Sequence, residues 1–242
     1  MVDTLTDKVT ELKVQFHKLN DSDYQDVWDF QTLLHNEIKT TKAAADSKLH
    51  RIPLNHLLFC EHRPVYTLGK SAKLTHLLSD EQTLTQQGFE LFPINRGGDV
   101  TYHGPGQLTG YLILDLELLY RDVHRYVRTI EDAIVSLLKE YGQEGLRIPD
   151  FTGVWIRSGS QYLKVCAIGV HLSRWVSMHG FALNINTDLS HFDNIIPCGI
   201  AEKDKAVTSM SQLLGRKIDP NEVEAKLRTI LAEKFNLKIL NI

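Results

Sequence analysis

The sequence predicts an α+β fold, in which helices cover the faces of a mixed, largely antiparallel sheet. Segments with strand character come in blocks, and helical segments separate the blocks instead of following every strand. Two long amphipathic patterns, one that starts at Asp21 or Asp23 and one from Val123 to Tyr141, suit helices that pack on a sheet. The chain shows no internal repeat, linker or low-complexity segment that would divide it.

Strands are predicted where an apolar or alternating run is bounded by turn residues. They are Leu12–Leu19, Asn55–His62, Val65–Leu68, Phe89–Ile94, Tyr111–Leu116, Val154–Arg157, Tyr162–Leu172, Val176–Asn186 and, at an edge, Leu237–Leu240. Helices are predicted where apolar residues at helical spacing follow a capping residue. Besides the helix from Asp21 or Asp23, which fades between Thr40 and Lys48, they are Asp80–Gln87 after Ser79, Val123–Tyr141 after Asp122, Val207–Leu214, and Pro220–Phe235 after Asp219. The segment Leu189–Ala201 is predicted to be irregular.

Length and composition suit one soluble domain with a sizeable core, since the 242 residues are 43% hydrophobic and 24% charged. We expect a single domain over residues 1–242, with residues 1–10 as a short flexible N-terminus. The net charge of −3 argues against non-specific nucleic-acid binding, which needs a basic excess. No run approaches the length of a membrane span, and no signal peptide is visible. We therefore expect a cytoplasmic protein without nucleic-acid or membrane partners.

The cysteines point to a reducing compartment. Cys60, Cys166 and Cys198 are an odd number of thiols without metal-ligand spacing. The histidines also lack the spacing of a metal motif. We expect free thiols, no metal site and no bound cofactor.

The chain is organised around the stretch from Arg96 to Tyr111, which holds five glycines and one proline in sixteen residues. Six polar side chains that can bind or react are interleaved with them: Arg96, Asp99, Thr101, Tyr102, His103 and Gln107. Glycine permits the close approach of bare backbone, which a ligand cradle needs and a simple connector does not. The stretch has neither phosphate-loop nor dinucleotide-loop spacing, and it leads into an apolar strand. It predicts a binding loop, with a solvated hairpin as the alternative.

Cys198 is the candidate nucleophile, because Pro197 and Gly199 hold it in an irregular segment without packing it among strand neighbours. Cys60, in an apolar strand, suits a buried structural thiol instead. A reactive thiol needs a neighbouring cation or base. Lys164 is out of place in a nearly apolar segment, and a lysine that points inward can exchange a proton with a thiol. A Lys164 that faces solvent is the alternative.

Histidines offer rival bases for the thiol. His103 lies in the glycine-rich stretch and His179 in a strand, and a Cys/His pair would serve the same chemistry. His124, His171 and His191 are predicted to be surface or structural residues.

Five motifs in the same order resemble the lipoyl(octanoyl) transferases. They are RGGDVTYHGPGQ at Arg96–Gln107, KVCAIG at Lys164–Gly169, PCG at Pro197–Gly199, and in support EHRPVYTLG at Glu61–Gly69 and HGFALN at His179–Asn184. The resemblance spans roughly residues 50–210, and the first motif is long and highly specific.

The resemblance implies a fold related to the catalytic domain of biotin and lipoate protein ligases. It implies an enzyme that takes an octanoyl group from the thioester of acyl carrier protein, without ATP. The acceptor would be a lysine of lipoyl domains in E2 subunits or of glycine cleavage H protein. Matched residue by residue, Cys198 falls on the acyl-accepting cysteine and Lys164 on the lysine that tunes it. The substrate-binding positions fall on Arg96, Gly97, Gly98, Asp99, Val100, Thr101, Tyr102, His103, Ala167, Ile168, Gly169, Gly180, Phe181 and Ala182.

The chemistry of the residues agrees with this reaction. A thiol exchanges readily with a thioester, and the amide formed next is a stable product. The backbone amides that can hold the tetrahedral oxyanion lie near Gly97, Gly98 or Gly169. The apolar residues that can line an eight-carbon chain lie around Tyr102, Ile168 and Phe181.

Cys166 departs from the pattern of the family, which usually has a small residue such as alanine there. On an extended strand it is predicted to face the same side as Lys164, two residues earlier. We expect it to fill a small space rather than to compete as a thiol, because apolar surroundings raise the pKa of a cysteine.

Two other functions stay open. One is an ATP-dependent lipoate or biotin ligase of the same fold class, which would not need Cys198. The other is a non-catalytic module that binds acyl carrier protein or lipoyl domains. A docking patch for such acidic partners is predicted from Arg51, Lys70, Lys73, Arg121, Arg125 and Arg128, with a solvated face as the alternative.

Overall fold

A mixed sheet forms the centre of the structure, a computed structural model that describes residues 11–45, 52–197 and 204–240. The strands of these residues are β1 (Leu12–Ser22), β2 (Asn55–His62), β3 (Val65–Leu68), β4 (Glu90–Pro93), β5 (Val100–His103), β6 (Gln107–Ile113), β7 (Gly145–Ile148), β8 (Phe151–Ser158), β9 (Gln161–Ser173), β10 (Val176–Asn184), β11 (Lys205–Val207) and β12 (Leu237–Leu240). The main sheet has the order β12-β1-β2-β6-β10-β9-β8-β7, with β11 beside β9. A small sheet has the order β4-β3-β5. The predicted flexible segment 1–10 and Cys198 lie outside the described residues.

The pairing directions confirm the predicted fold class. In the main sheet, β1 runs parallel to β2 and β12, and β11 runs parallel to β9. The other neighbours, from β2 through β6, β10, β9 and β8 to β7, pair antiparallel. Strand β12 lies at the edge of the sheet, as predicted.

Helices cover both faces of the main sheet. Within the described ranges they are α1 (Tyr24–Ala45), α2 (Glu81–Gln86), α3 (Val123–Glu140), α4 (Met210–Leu214) and α5 (Pro220–Phe235). Asp122 and Asp219 cap α3 and α5 as predicted. The cap of α2 is Asp80 and not Ser79, whose hydroxyl instead donates to the side chain of Asn194. None of these helices is long and apolar enough to cross a membrane.

Strand β2 shows how the two faces differ. Leu57 and Phe59 join the large apolar cluster under α3 and α5, while Leu58 and Cys60 join the cluster under α1. This division follows from the alternation of side chains along a strand. The small sheet is anchored beside α1, because Val65 and Ile94 pack on Tyr24.

The glycine-rich stretch is more ordered than its composition indicates. Val100–His103 forms β5, which the sequence does not predict, and β6 occupies Gln107–Ile113 where a strand over Tyr111–Leu116 is expected. Pairing with β3, β2 and β10 stabilises these segments. Such long-range partners leave no local pattern in the sequence.

Four other elements also differ from expectation. Strands β7 and β11 are not predicted, and the short helix α4 begins at Met210 rather than Val207, because β11 takes up the residues before it. In the segment predicted to be irregular, Leu189–Asn194 forms a 3-10 helix.

Candidate active site

A cavity lies between the main sheet and the small sheet, and we call it the sheet cavity. Ten of the predicted substrate-binding residues line it: Arg96, Gly98, Thr101, His103, Ala167, Ile168, Gly169, Gly180, Phe181 and Ala182. The lining also includes Tyr24, Thr109, Tyr111 and His179. Strands β6, β9 and β10 therefore meet the glycine-rich stretch around one space.

Glycine at position 169 lets the glycine-rich stretch lie directly on β9. A Cβ atom at Gly169 would stand 2.8 Å from the carbonyl oxygen of Gly97 and 3.1 Å from Cδ of Arg96. The amide of Gly97 donates to the carbonyl of Val170 at 2.9 Å. Because the Gly97 amide already donates to Val170, it does not offer a free donor to a substrate.

Arg96 holds the stretch against β3. Its Nη2 donates to the carbonyl and hydroxyl oxygens of Thr67, at 2.7 Å and 2.9 Å, and its Nη1 donates to the carbonyl of Gly97 at 3.0 Å. Charged donors make strong hydrogen bonds when buried. Arg96 therefore fixes the wall of the sheet cavity.

Lys164 points inward, which settles the alternative that the sequence left open. Its side chain is 5% exposed, and Nζ lies 4.6 Å from the ring centre of the buried Trp155. Among the described residues, no carboxylate forms an ion pair with it. A buried lysine without a carboxylate partner is uncommon in a purely structural setting and suggests a chemical role.

A second, smaller cavity contains Lys164, and we call it the lysine cavity. Pro197, the residue before Cys198 in the sequence, lines it as well. The lysine cavity shares Thr101, Ala167 and Ala182 with the sheet cavity, so the two spaces adjoin. Cys198 itself lies outside the described residues.

The prediction that Cys166 faces the same side as Lys164 is wrong. Their partners Val154 and Trp155 are adjacent on β8, so β9 carries one extra residue between them and bulges. Cys166 is buried in the core under α3 and α5 and does not line the lysine cavity. Burial raises the pKa of its thiol well above the usual value.

The rival bases lie elsewhere. His103 and His179 line the sheet cavity, and Nδ1 of His103 is bonded to the side-chain oxygen of Gln107 at 2.8 Å. Burial lowers the pKa of His179 to about 3 and that of His103 well below its usual range. Among the described residues that line the lysine cavity, Lys164 is the one with a side chain of an acid or base type.

Buried polar groups behind the sheet cavity were not singled out from the sequence. The hydroxyl of Tyr111 is bonded to Nε2 of His62 at 2.6 Å, and the thiol of Cys60 lies 3.2 Å from the same nitrogen. Burial lowers the pKa of His62 to about 4. Thr109 and Tyr111 alternate with Gly110 on β6, so a strand assigned from Gln107 onward would have placed both on one face.

Four predicted substrate residues lie outside the sheet cavity. They are Gly97, Asp99, Val100 and Tyr102. Asp99 pairs with the ring of His76, and the hydroxyl of Tyr102 is bonded to His191 at 2.7 Å. These side chains stabilise the loop and the small sheet.

Phe181 and Ile168 border the sheet cavity but pack on the other side of the main sheet. The ring of Phe181 lies over Gly110 and packs edge-on against Phe59 in the core. Ile168, its partner across β9 and β10, also packs on that core. Both residues therefore offer the cavity mainly their backbone.

Three arginines of the predicted docking patch already have partners on neighbouring side chains. Arg51 lies outside the described residues, and Arg121, Arg125 and Arg128 already contact Glu117, the ring of Tyr120 and Glu131 respectively. Lys70 and Lys73 flank a segment next to the site, where the amide of Ser71 donates to the carbonyl of Gly98.

A family model, the lipoyl protein ligase A/B catalytic domain, matches residues 23–232. The chain belongs to this family. An octanoyltransferase of Flavobacterium johnsoniae is 47% identical over 231 residues, which cover 94% of this chain and 99% of the relative. An octanoyltransferase of Christiangramia forsetii is 46% identical over 230 residues, covering 94% of this chain and 97% of the relative. These relatives confirm the predicted resemblance and support an acyltransferase enzyme.

Solved structures of this family share the fold. A bi-partite lipoate protein ligase of Thermoplasma acidophilum has a TM-score of 0.70 at 15% identity, covering 96% of this chain and 87% of that chain. Lipoate-protein ligase A bound with ATP has a TM-score of 0.63 at 15% identity, and the match covers 96% of this chain and 90% of that chain. This similarity confirms the predicted relation to lipoate ligase catalytic domains as far as the fold is concerned.

Proposed function

We propose that the chain transfers an octanoyl group from acyl carrier protein to a lysine of lipoyl domains, in E2 subunits and in glycine cleavage H protein. Cys198 carries the group as a thioester, and Lys164 acts as general acid and base. The observation that carries the proposal is the buried Lys164, in a cavity that is also lined by the residue before Cys198.

The first half-reaction loads the enzyme. Lys164 takes the proton of the Cys198 thiol, and the thiolate attacks the carbonyl carbon of the donor thioester. The bond between that carbon and the sulfur of the carrier breaks. Lys164 returns its proton to the departing sulfur, so the carrier leaves as a thiol and Cys198 is acylated.

The second half-reaction makes the amide. The amine of the acceptor lysine attacks the acyl carbon and gives a proton to Lys164, which passes it to the departing sulfur of Cys198. Protons and electrons balance without ATP. Both steps need one buried base that shuttles a proton, and Lys164 meets that requirement.

The sheet cavity suits the hydrocarbon chain. An acyl carbon near Lys164 would direct its chain past Thr101, Ala167 and Ala182, which border both cavities. Burial of a chain contributes about 0.8 kcal/mol for each methylene. The small side chains of this shared wall leave room for it.

The test is the intact mass of the protein after incubation with octanoyl carrier protein in the absence of ATP. We expect the wild type to gain one octanoyl group, which Cys198→Ser abolishes and Lys164→Ala slows. Cys166→Ala and Lys139→Ala are matched controls, because Cys166 is buried in the core and Lys139 is exposed on α3. Both controls should acylate like the wild type.

A second arm supplies ATP and free octanoate. Acyl transfer that appears only in this arm would identify a ligase and contradict the proposal. Binding of carrier protein or lipoyl domain without any transfer in either arm would identify a binding module instead.

A further inference from the structure

We infer that the sheet cavity limits the length of the acyl chain through a polar end wall at His179, behind which Gln31 accepts from the backbone amide of His179. The inference rests on the proposed function, because it takes the octanoyl chain to lie in the sheet cavity. It assigns a specificity role to two residues that do not take part in the chemistry.

Strand β10 gives the cavity a direction. Ala182 borders both cavities, and so marks the end near Lys164, whereas His179 lines only the sheet cavity. The two residues are three positions apart, a span of about 10 Å at strand spacing. An extended eight-carbon chain has roughly this length.

The wall between these two ends is small and apolar. Ala167 pairs with Ala182, and Gly169 pairs with Gly180, so four residues without long side chains lie next to one another on β9 and β10. Arg96 and the carbonyl of Gly97 lie over Gly169, so a hydrocarbon chain on this wall passes beside Arg96 and packs on its small apolar residues.

The far end of the cavity has different chemistry. Nδ1 of His179 and Nε2 of Gln31 are buried and have no hydrogen-bond partner among the described residues. Nε2 of His179 is bonded to the side-chain oxygen of Asn95 at 2.7 Å, which leaves Nδ1 as an acceptor. The oxygen of Gln31 accepts from the backbone amide of His179 at 3.1 Å, which leaves the Gln31 amide nitrogen as a donor.

A donor and an acceptor without partners thus lie beside the same residue. Water molecules can satisfy both groups, as they usually do for buried polar groups in proteins. A methylene group cannot. A chain long enough to reach His179 must leave both groups unsatisfied, so affinity falls sharply beyond the length that fits.

Thr109 provides an internal comparison. Its hydroxyl also has no partner among the described residues, but Thr109 pairs with Ala182 and so lies at the end near Lys164. Thr109→Val should change transfer of all chain lengths alike, because every acyl group passes this end.

The experiment compares kcat/KM for octanoyl, decanoyl and dodecanoyl carrier protein, with a lipoyl domain as acceptor. Gln31→Leu removes the donor that has no partner. His179→Asn shortens the end wall, and asparagine tolerates the left-handed backbone of position 179, where φ is 63°. We expect the ratio of decanoyl to octanoyl kcat/KM to rise about tenfold in both variants. Gln25→Leu, the same change on the exposed side of α1, should keep the wild-type ratio.

Thermal unfolding shows which variants are folded. If Gln31→Leu does not fold, the ratio measured for His179→Asn decides the outcome. An unchanged ratio in the folded variants, or an equal loss for every chain length, overturns the inference. A wild type that transfers no octanoyl group from the carrier refutes the proposed function itself, which is a separate and distinguishable result.

Discussion

The two faces of the main sheet bury different kinds of side chain. Under α3 and α5, residues such as Ile130, Ile134 and Leu137 are fully buried in one apolar cluster. On the side of the sheet cavity, the buried residues include Arg96 and His179, at 7% and 2% exposure.

This difference separates stability from function. Burial of apolar surface stabilises a fold by about 25 cal/mol for each Å². Burial of a polar or charged group lowers stability unless partners compensate. The face under α3 and α5 therefore stabilises the fold, while the opposite face buries polar groups beside the sheet cavity in addition to the apolar cluster under α1.

Among the variants that compare the two faces, removal of the Lys164 amine should have the largest effect on activity. Lys164→Met keeps the apolar stem on Trp155 and removes the general base, so we expect octanoyl transfer to fall about 10²- to 10⁴-fold. The stability should be retained, because the methionine keeps the apolar contacts and removes a buried polar group that has no carboxylate partner. Single-turnover transfer and urea unfolding measure the two quantities. A variant that is unfolded, or as active as the wild type, would break the comparison.

The opposite face should show the reverse behaviour. Leu137→Ala leaves a space under α3, and we expect a loss of about 2–5 kcal/mol in the free energy of unfolding. The rate of transfer for each folded molecule should stay at the wild-type value. A selective loss of rate in well-folded protein would show that this face contributes to the site.

Acid should weaken the fold through the polar face. Burial lowers the pKa of His62 to about 4 and of His179 to about 3, whereas an unfolded histidine titrates near 6.5. Below pH ~6.5 the unfolded chain binds protons that the folded chain does not, so stability is full above this value and falls as the pH drops. Each such histidine contributes a slope of about 1.4 kcal/mol per pH unit.

Urea unfolding between pH 7.5 and pH 5 measures this slope. His62→Gln should reduce the slope of stability against pH by the contribution of one histidine, about 1.4 kcal/mol per pH unit. Parallel curves for the variant and the wild type would show that His62 is not buried in its neutral form.

The smallest effect is expected at Thr67. Thr67→Val removes one hydroxyl partner of Arg96, but the backbone carbonyl of Thr67 and that of Gly97 still accept from the guanidinium. We expect a loss of about 1 kcal/mol in unfolding free energy and little change in transfer. A loss of unfolding free energy as large as that of Leu137→Ala would mean that the face with the sheet cavity also contributes strongly to stability.

Local patterns were enough for elements that end at strong turn or capping signals. Strands β2 and β3 have the predicted bounds, and α3 and α5 begin after the predicted capping residues. Strand β5 was missed because its pairing with β3 comes from a distant part of the chain.

The orientation of Lys164 shows why the site was harder to predict than the fold. Alternation alone left an inward and a solvent-facing lysine equally open. The bulge that separates it from Cys166 lies opposite Val154 and Trp155. Next to them is Gly153, where φ is 124° and the amide donates to the buried carboxylate of Glu131 at 3.0 Å. These contacts join α3, β8 and β9, so no local pattern reports them.

The most direct test of the account is the pH dependence of the alkylation of Cys198 by iodoacetamide, followed by peptide mass spectrometry. Cys60 and Cys166 are buried and should remain unmodified in the folded protein, which makes them internal controls. If Lys164 activates the thiol, the wild type should show a thiolate pKa below the ordinary value of about 8.5, and Lys164→Met should restore that value. Identical profiles for the wild type and Lys164→Met would contradict the proposed pairing of Cys198 and Lys164.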